Sequence, residues 1–237
     1  MPIGDNNGRI KVVIVEDESL YRDLLRVALS QHPLLDVVGT FADGQCALAA
    51  MTDLNAQVAI LDIDLRSALN GVQVGLMLRQ RWPQLGIVLL SNHGDPQFIS
   101  SLPAEIMPGW SYLLKKSVSD ITALQRAIEG ATVGLVVLDP RLATGMRPRV
   151  GGVLSRLTPR QQEVLALIAQ GFTNAAIAQQ LTLSEKSVEN QINLLYQQLE
   201  VDRGRSALHP RVKAVLTYLN ESRFTRPETA AASPGRG

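Results

Sequence analysis

The stretch Leu157–Val201 constrains this chain more tightly than any other part of it. Thr158 followed by Pro159, with Gln161 three residues after the threonine, is a capping box with proline at the first helical position. Val164, Leu165 and Ile168 then recur at helical spacing until Gly171 stops the helix. Asn174 is placed as the cap of a second helix that carries Ile177, Ala178 and Leu181 on one face. Ser184 caps a third, on which Val188, Ile192, Leu195 and Leu199 line up. Two short helices joined through Leu181-Thr182-Leu183-Ser184 read as a helix-turn-helix, whose second helix is shaped to enter a major groove.

The front of the chain follows another period. From Arg9 to Gly130, short apolar runs alternate with amphipathic segments. Strands are predicted at Ile10 to Val15, from Val37, at Val58 to Leu61, at Ile87 to Leu90 and at Tyr112 to Leu114. Helices are predicted between them, including Leu20 to Leu29, Ala47 to Met51, Val72 to Trp82, one near Gln97 and Ser119 to Glu129. Continuous apolar strands separated by helices imply a parallel sheet covered on both faces, an α/β flavodoxin-like doubly wound fold.

In such a fold the site forms at the carboxyl ends of the strands. Glu16 and Asp17 follow the first strand, and Asp62 ends the third, with Asp64 two residues on. Ser91 ends the fourth, and Lys115 follows the fifth. Carboxylates gathered at one edge repel each other, and a hard divalent cation such as Mg²⁺, which takes oxygen ligands, relieves that repulsion. A carboxylate beside Mg²⁺ and an ammonium is suited to attack a phosphoryl group, with the lysine offsetting oxygen charge and the serine hydroxyl bonding the product. His93 is read as a solvated loop residue. No second His or Cys stands at ligand spacing from another, so a zinc site has no support.

The chain is long enough for two cores. Its domains are expected at 9–130 (α/β) and 155–220 (all-α, four helices). Residues 131–154, dense in Gly and Pro, are expected to be a linker crossed by few contacts, with Leu135-Val136-Val137-Leu138 packing locally against one domain. Residues 221–237 are expected to be a disordered tail. A last helix is predicted from Arg203 to Asn220. Residues 1–130 carry 10 Lys+Arg against 14 Asp+Glu, whereas residues 222–237 carry 3 against 1. An acidic front and a mildly basic back suit a regulatory domain joined to a nucleic-acid binder. The single Cys46 leaves no internal disulfide and fits a reducing cytoplasm, and no apolar run reaches membrane-spanning length.

Two resemblances follow. Leu157, Thr158, Arg160, Glu163, Val164, Leu165, Gly171, Asn174, Ile177, Ala178, Leu181, Ser184, Glu185 and Val188 match the pattern of the LuxR-type DNA-binding domain. The front half resembles a response-regulator receiver domain, and the whole resembles the NarL/FixJ class. That resemblance implies Glu16 and Asp17 as the acidic pair on Mg²⁺, with Asp62 and the backbone carbonyl of Asp64 as further ligands. It implies Asp62 as the phosphoryl acceptor, preferred over Asp64 because it directly ends the apolar run, and Ser91, Tyr112 and Lys115 as the switch. Lys115 is preferred over Lys116 by its spacing from Tyr112. Arg66 stands where the receiver pattern has proline, and Pro103 and Pro108 interrupt the region before the fifth strand.

The partners implied are a sensor histidine kinase, double-stranded DNA at promoter sites, and a second copy of the chain once phosphorylated. A membrane partner is not expected, nor is enzymatic turnover. The residues expected at the DNA are Asn174, Lys186, Ser187, Glu189, Asn190, Asn193 and Gln197. Asn and Gln can read adenine edges and Glu can accept from cytosine, but Lys186 is the only cation of this helix. Phosphate attraction is therefore expected from Arg160, Arg203, Arg205, Arg211 and Lys213. The main rival is a DNA-binding regulator whose receiver serves only to dimerise. A small-molecule phosphotransferase using the same aspartate would leave the helix-turn-helix unexplained.

Overall fold

The computed structural model describes residues 8–93, 102–118, 121–201 and 208–224. Its main sheet is parallel throughout, in the order β2-β1-β3-β4-β5-β6. The strands are β1 (Ile10–Val15), β2 (Leu35–Phe41), β3 (Val58–Asp62), β4 (Gly86–Ser91), β5 (Trp110–Leu114) and β6 (Val137–Leu138). Alternating residues divide the core. Val12, Ile14, Ile60 and Val88 pack with α1 (Ser19–Ser30) and α4 (Ile121–Thr132). Val13, Val15, Leu61 and Leu89 pack with α2 (Gly44–Leu54) and α3 (Gly71–Arg81). This is the doubly wound arrangement read from the apolar runs. The sequence places a helix near Gln97, but residues 94–101 lie outside the described residues.

Local signals account for the helix starts. Asp43 accepts a hydrogen bond from Cys46 N at the head of α2, and Asn70 with Gln73 forms a reciprocal capping box on α3. A Cβ at Gly71 would overlap the carbonyl oxygen of Asp62, so only glycine lets α3 begin this close behind the β3 loop.

The segment expected to be a linker is instead folded. Gly134, at φ +75, turns the chain after α4, and β6 pairs with Ser111 and Tyr112 of β5. An unpaired strand edge and an apolar run of matching length satisfy one another, so Val136 to Leu138 are buried. Pro140 does not break structure here. It occupies the first position of α5 (Pro140–Gly145), capped by Asp139. β7 (Met146–Pro148) then pairs antiparallel with β8 (Ser222–Phe224), so the start of the expected tail is a strand. Residues 225–237 lie outside the described residues.

The second domain comprises α6 (Pro159–Ala169), α7 (Asn174–Leu181), α8 (Glu185–Gln198) and α9 (Pro210–Glu221). The Thr158–Gln161 capping box forms as read. Two boundaries differ from the sequence reading. Thr173, not Asn174, caps α7 by accepting from Ala176 N. The last helix begins at Pro210, capped by His209, because proline fits the first turn and not a helix interior.

One apolar cluster runs from Leu61 and Tyr112 through Leu138, Leu142 and Met146 into Leu165, Leu195 and Val215, so the two domains share a core. At their junction the Arg126 guanidinium of α4 lies 4.2 Å from the centre of the Phe172 ring and its Nε donates to Gln170 O at 3.3 Å. Gly171, at φ +80, sits against Val137, where a Cβ would approach Cγ2 to 2.9 Å. Among the described residues no helix is long and apolar enough to cross a membrane.

Candidate functional site

Because the strands are parallel, their carboxyl ends bring Glu16, Asp17, Asp62, Ser91 and Lys115 to one edge. Glu16, Asp17 and Asp62 each offer a carboxylate oxygen within 4.8 Å of the others. The Lys115 ammonium reaches in between, 2.7 Å from Glu16 Oε2 and 3.0 Å from Asp62 Oδ2. Asp62 is 2% exposed and Glu16 1%. Asp64 is exposed and turns its backbone N–H to Asp62 Oδ1 at 3.1 Å. Lys116 is exposed, while Lys115 makes both bridges.

The charges at this edge do not balance. Like charges about 4 Å apart repel by about 4 kcal/mol at an effective dielectric near 20. One ammonium faces three carboxylates. Burial, and then the neighbouring Asp62, hold the Glu16 carboxyl above its ordinary range. Burial alone would draw Lys115 down, but its hydrogen bonds to Glu16 and Asp62 outweigh that and hold its ammonium above the usual lysine range. An all-oxygen donor set with residual negative charge fits a hard divalent cation such as Mg²⁺.

Two residues that sequence reasoning missed frame this edge. The Tyr21 ring lies 4.8 Å from the Lys115 ammonium, and its hydroxyl donates to Lys115 O at 3.4 Å. Burial, with Glu16 and Asp62 nearby, holds the Tyr21 phenol well above its ordinary value. Arg22 clamps the acidic loop, donating to Glu16 O at 2.6 Å and Asp17 O at 3.3 Å. Both lie in the first turns of the helix that follows the acidic pair, which is the signal that could have found them. Arg66, at the position where the receiver pattern has proline, reaches Asp17 Oδ2 at 3.7 Å from an exposed side chain. Asp139, a cap residue followed by Pro140, carried a helix-start signal that the Gly and Pro density of its segment masked.

On the far side of the edge, Ser91 Oγ donates to His93 O at 3.0 Å and accepts from His93 N at the same distance. The buried Tyr112 donates its phenol to the same His93 carbonyl at 2.6 Å. Ser91 and Tyr112 therefore meet on one backbone carbonyl. His93, read as a solvated loop residue, is exposed but is the hinge between them.

In the helical domain, Lys186, Glu189, Asn190, Asn193 and Gln197 are exposed on α8, while Ser187 and Asn174 are half-buried. Ser187 is held by the Ser184 cap, and Lys186 pairs with Glu189 at 3.2 Å. Asn174, Glu189 and Asn193 border a groove of about 400 Å³ with Tyr196, His209 and Arg211.

Three of the cations counted on for phosphate attraction each hold a backbone carbonyl as well. Arg160 donates to Leu181 O at 2.8 Å and pairs with Glu163, and Lys213 donates to Glu200 O at 3.1 Å. Arg211 donates to Phe172 O and, at 3.2 Å, to Asn174 Oδ1. Each engaged carbonyl belongs to the last residue of a helix or to the turn just after one, where acceptors lack intrahelical donors. Arg203 and Arg205 lie outside the described residues.

The response regulator receiver domain family matches residues 12–129, and the family of bacterial regulatory proteins of luxR type matches residues 155–209. The chain belongs to the NarL/FixJ class of response regulators. This response regulator is 26% identical over 229 residues to the transcriptional regulatory protein DegU of Brevibacillus brevis, covering 88% of this chain and 95% of that protein. It is 29% identical over 204 residues to the DNA-binding transcriptional activator DevR/DosR of Mycobacterium tuberculosis, covering 84% and 92%. A solved structure of the RcsB response regulator of Salmonella typhimurium is similar at 24% identity and a TM-score of 0.45, over 90% of this chain and 97% of that one.

Proposed function

We propose that this response regulator is a DNA-binding transcriptional regulator of a two-component system, switched by Mg²⁺-dependent phosphorylation of Asp62. The observation that carries this reading is the buried Asp62 carboxylate, bridged by Lys115 and set beside Glu16 and Asp17. Glu16, Asp17 and Asp62, with the backbone carbonyl of Asp64, would hold the cation, which when bound offsets charge on the transferring phosphoryl oxygens.

An Asp62 carboxylate oxygen attacks phosphorus of a phosphohistidine on a partner kinase. The new O–P bond forms as the P–N bond breaks, and the electron pair returns to the imidazole nitrogen. Lys115 moves from shielding a carboxylate to shielding the phosphoryl group. Ser91 can donate to that group only by leaving His93 O. The loop that carries this carbonyl then shifts, and the bond from the Tyr112 phenol to it is disturbed. That couples the acceptor to a buried aromatic residue, as a two-state switch requires.

Asn174, Lys186, Ser187, Glu189, Asn190, Asn193 and Gln197 form the DNA face. With Lys186 the only cation on α8, one copy binds weakly, and a phosphorylated homodimer reading two half-sites supplies the affinity. The protein acts in the cytoplasm. The test is intact-mass measurement with acetyl phosphate and Mg²⁺, alongside binding to duplex DNA. The wild type is expected to gain one phosphoryl group and a dimer, and Asp62→Asn neither. Equal DNA binding and oligomeric state with and without phosphodonor would overturn the reading.

A further inference from the structure

Among the described residues, the acceptor chemistry leaves one fully buried carboxylate unused, that of Asp139. It follows β6 directly and, besides its carbonyl, which accepts Ala143 N at 2.9 Å in the first turn of α5, makes three hydrogen bonds, all to backbone. Its own N–H donates to Tyr112 O at 2.7 Å, its Oδ2 accepts Leu114 N at 2.9 Å, and its Oδ1 accepts Arg141 N at 2.8 Å. The first two grip β5 at Tyr112 and at the residue before Lys115. The third caps α5. An ordinary helix cap accepts only from its own first turn, whereas this one also holds β5 of the receiver sheet.

We propose that Asp139 is a positioning residue that joins the acceptor edge to the effector domain, fixing the Lys115 end of β5 against α5 in the resting protein. The proposal rests on the phosphorylation of Asp62 and concerns how that event is transmitted. On the receiver side, Tyr112 shares the His93 carbonyl with Ser91, so a change at Ser91 reaches the strand that Asp139 holds. On the effector side, Leu142 and Ala143 of α5 are buried in the shared core, and Ala143 O accepts the Tyr218 phenol of α9 at 2.6 Å. α5 runs directly into β7, which pairs with β8 at the end of α9.

The carboxylate suits this role for a physical reason. It presents two oxygens to two backbone donors at once, and hydrogen bonds to an ionised acceptor are roughly twice as strong as neutral ones. In a site without solvent, a donor that loses its partner is costly, so the joint favours being wholly made or wholly broken. A serine at this position would keep the helix cap and be too short to hold Leu114 N as well.

The experiment is hydrogen–deuterium exchange on the full chain, with and without acetyl phosphate and Mg²⁺, with phosphoryl uptake followed by intact mass. The wild type is expected to show exchange at 140–147 and 211–221 rising about fivefold on phosphorylation, the effect of losing one buried hydrogen bond. Asp139→Ser is expected to take up phosphate and show the raised exchange at 140–147 already without phosphodonor. Tyr218→Phe, which changes little in shape, is expected to keep the response at 140–147 and lose it at 211–221.

Phosphate uptake by the wild type with no change at 140–147 overturns the joint and leaves the acceptor reading standing. So does a full phosphate response in Asp139→Ser from an unchanged resting level. Absence of uptake in the wild type overturns both. If Asp139→Ser does not fold, the wild-type and Tyr218→Phe measurements decide.

Discussion

The acceptor edge and the exposed face of α8 use polar residues in opposite ways. At the acceptor edge, Glu16, Asp62 and Lys115 are withdrawn from water and held at hydrogen-bond distance, with negative charge in excess. On α8, Lys186, Glu189, Asn190, Asn193 and Gln197 project into solvent, while nearby cations staple helix ends. The first region stores an electrostatic imbalance that a phosphoryl group and a metal can relieve, at some expense of stability. The second stores none and depends on what it meets. Chemistry requires fixed, desolvated groups. Recognition of a long polyanion requires accessible ones.

The sharpest way to break this comparison is at Asp62. Asp62→Asn is expected to abolish phosphoryl uptake from acetyl phosphate, read by intact mass, while leaving DNA binding by the resting protein unchanged. Loss of both together would mean that the two regions are not separable in this sense.

A second test asks how far the regions are independent as folded units. Leu195 of α8 is fully buried in the cluster that reaches Tyr112. Leu195→Ala is expected to destabilise by about 3 kcal/mol. Both tryptophans, Trp82 and Trp110, lie in the receiver and report on it alone. The shared core predicts that their fluorescence midpoint in urea falls along with the helical signal. An unmoved tryptophan midpoint would divide the core in two.

The stored imbalance has a pH signature. Burial holds the Glu16 carboxyl above the ordinary carboxylate range in the fold, so the stability it contributes is present below that range and is lost as pH rises through the raised value. Glu16→Gln is expected to flatten this part of the thermal midpoint against pH and to remove most of the stabilisation that Mg²⁺ gives the wild type at neutral pH. An unchanged Mg²⁺ effect in Glu16→Gln would remove this residue from the cation site. The smallest effect belongs to the exposed face. Lys186→Ala is expected to weaken binding to duplex DNA about equally across sequences and to lower the salt slope by about 1. Fluorescence anisotropy at several salt concentrations measures it.

Much of this was legible in the amino-acid order. The receiver's strands are continuous apolar runs, its reactive residues fall at their carboxyl ends, and the helix-turn-helix carries its caps in sequence. These are local signals, set by backbone propensity and by the period of burial. Thr173, rather than Asn174, was missed as a cap because adjacent residues both have side chains able to cap, and only backbone conformation separates them. The carbonyls that Arg160, Arg211 and Lys213 hold were not legible, because a cation's sequence position does not say which carbonyl lies within reach of its side chain.

By itself, then, the sequence determined the two fold classes, the carboxylates and lysine that meet at one sheet edge, and the helix-turn-helix. The tertiary structure alone decided that residues 131–148 are a sixth strand, a helix and half of a ribbon instead of a tether. Glycine and proline mark turns in either case. Whether the residues between them fold depends on a strand edge that lacks a partner, and β5 supplies one. It also decided which carbonyls the cations reach and that Asp139 ties β5 to α5, elements that no local pattern connects.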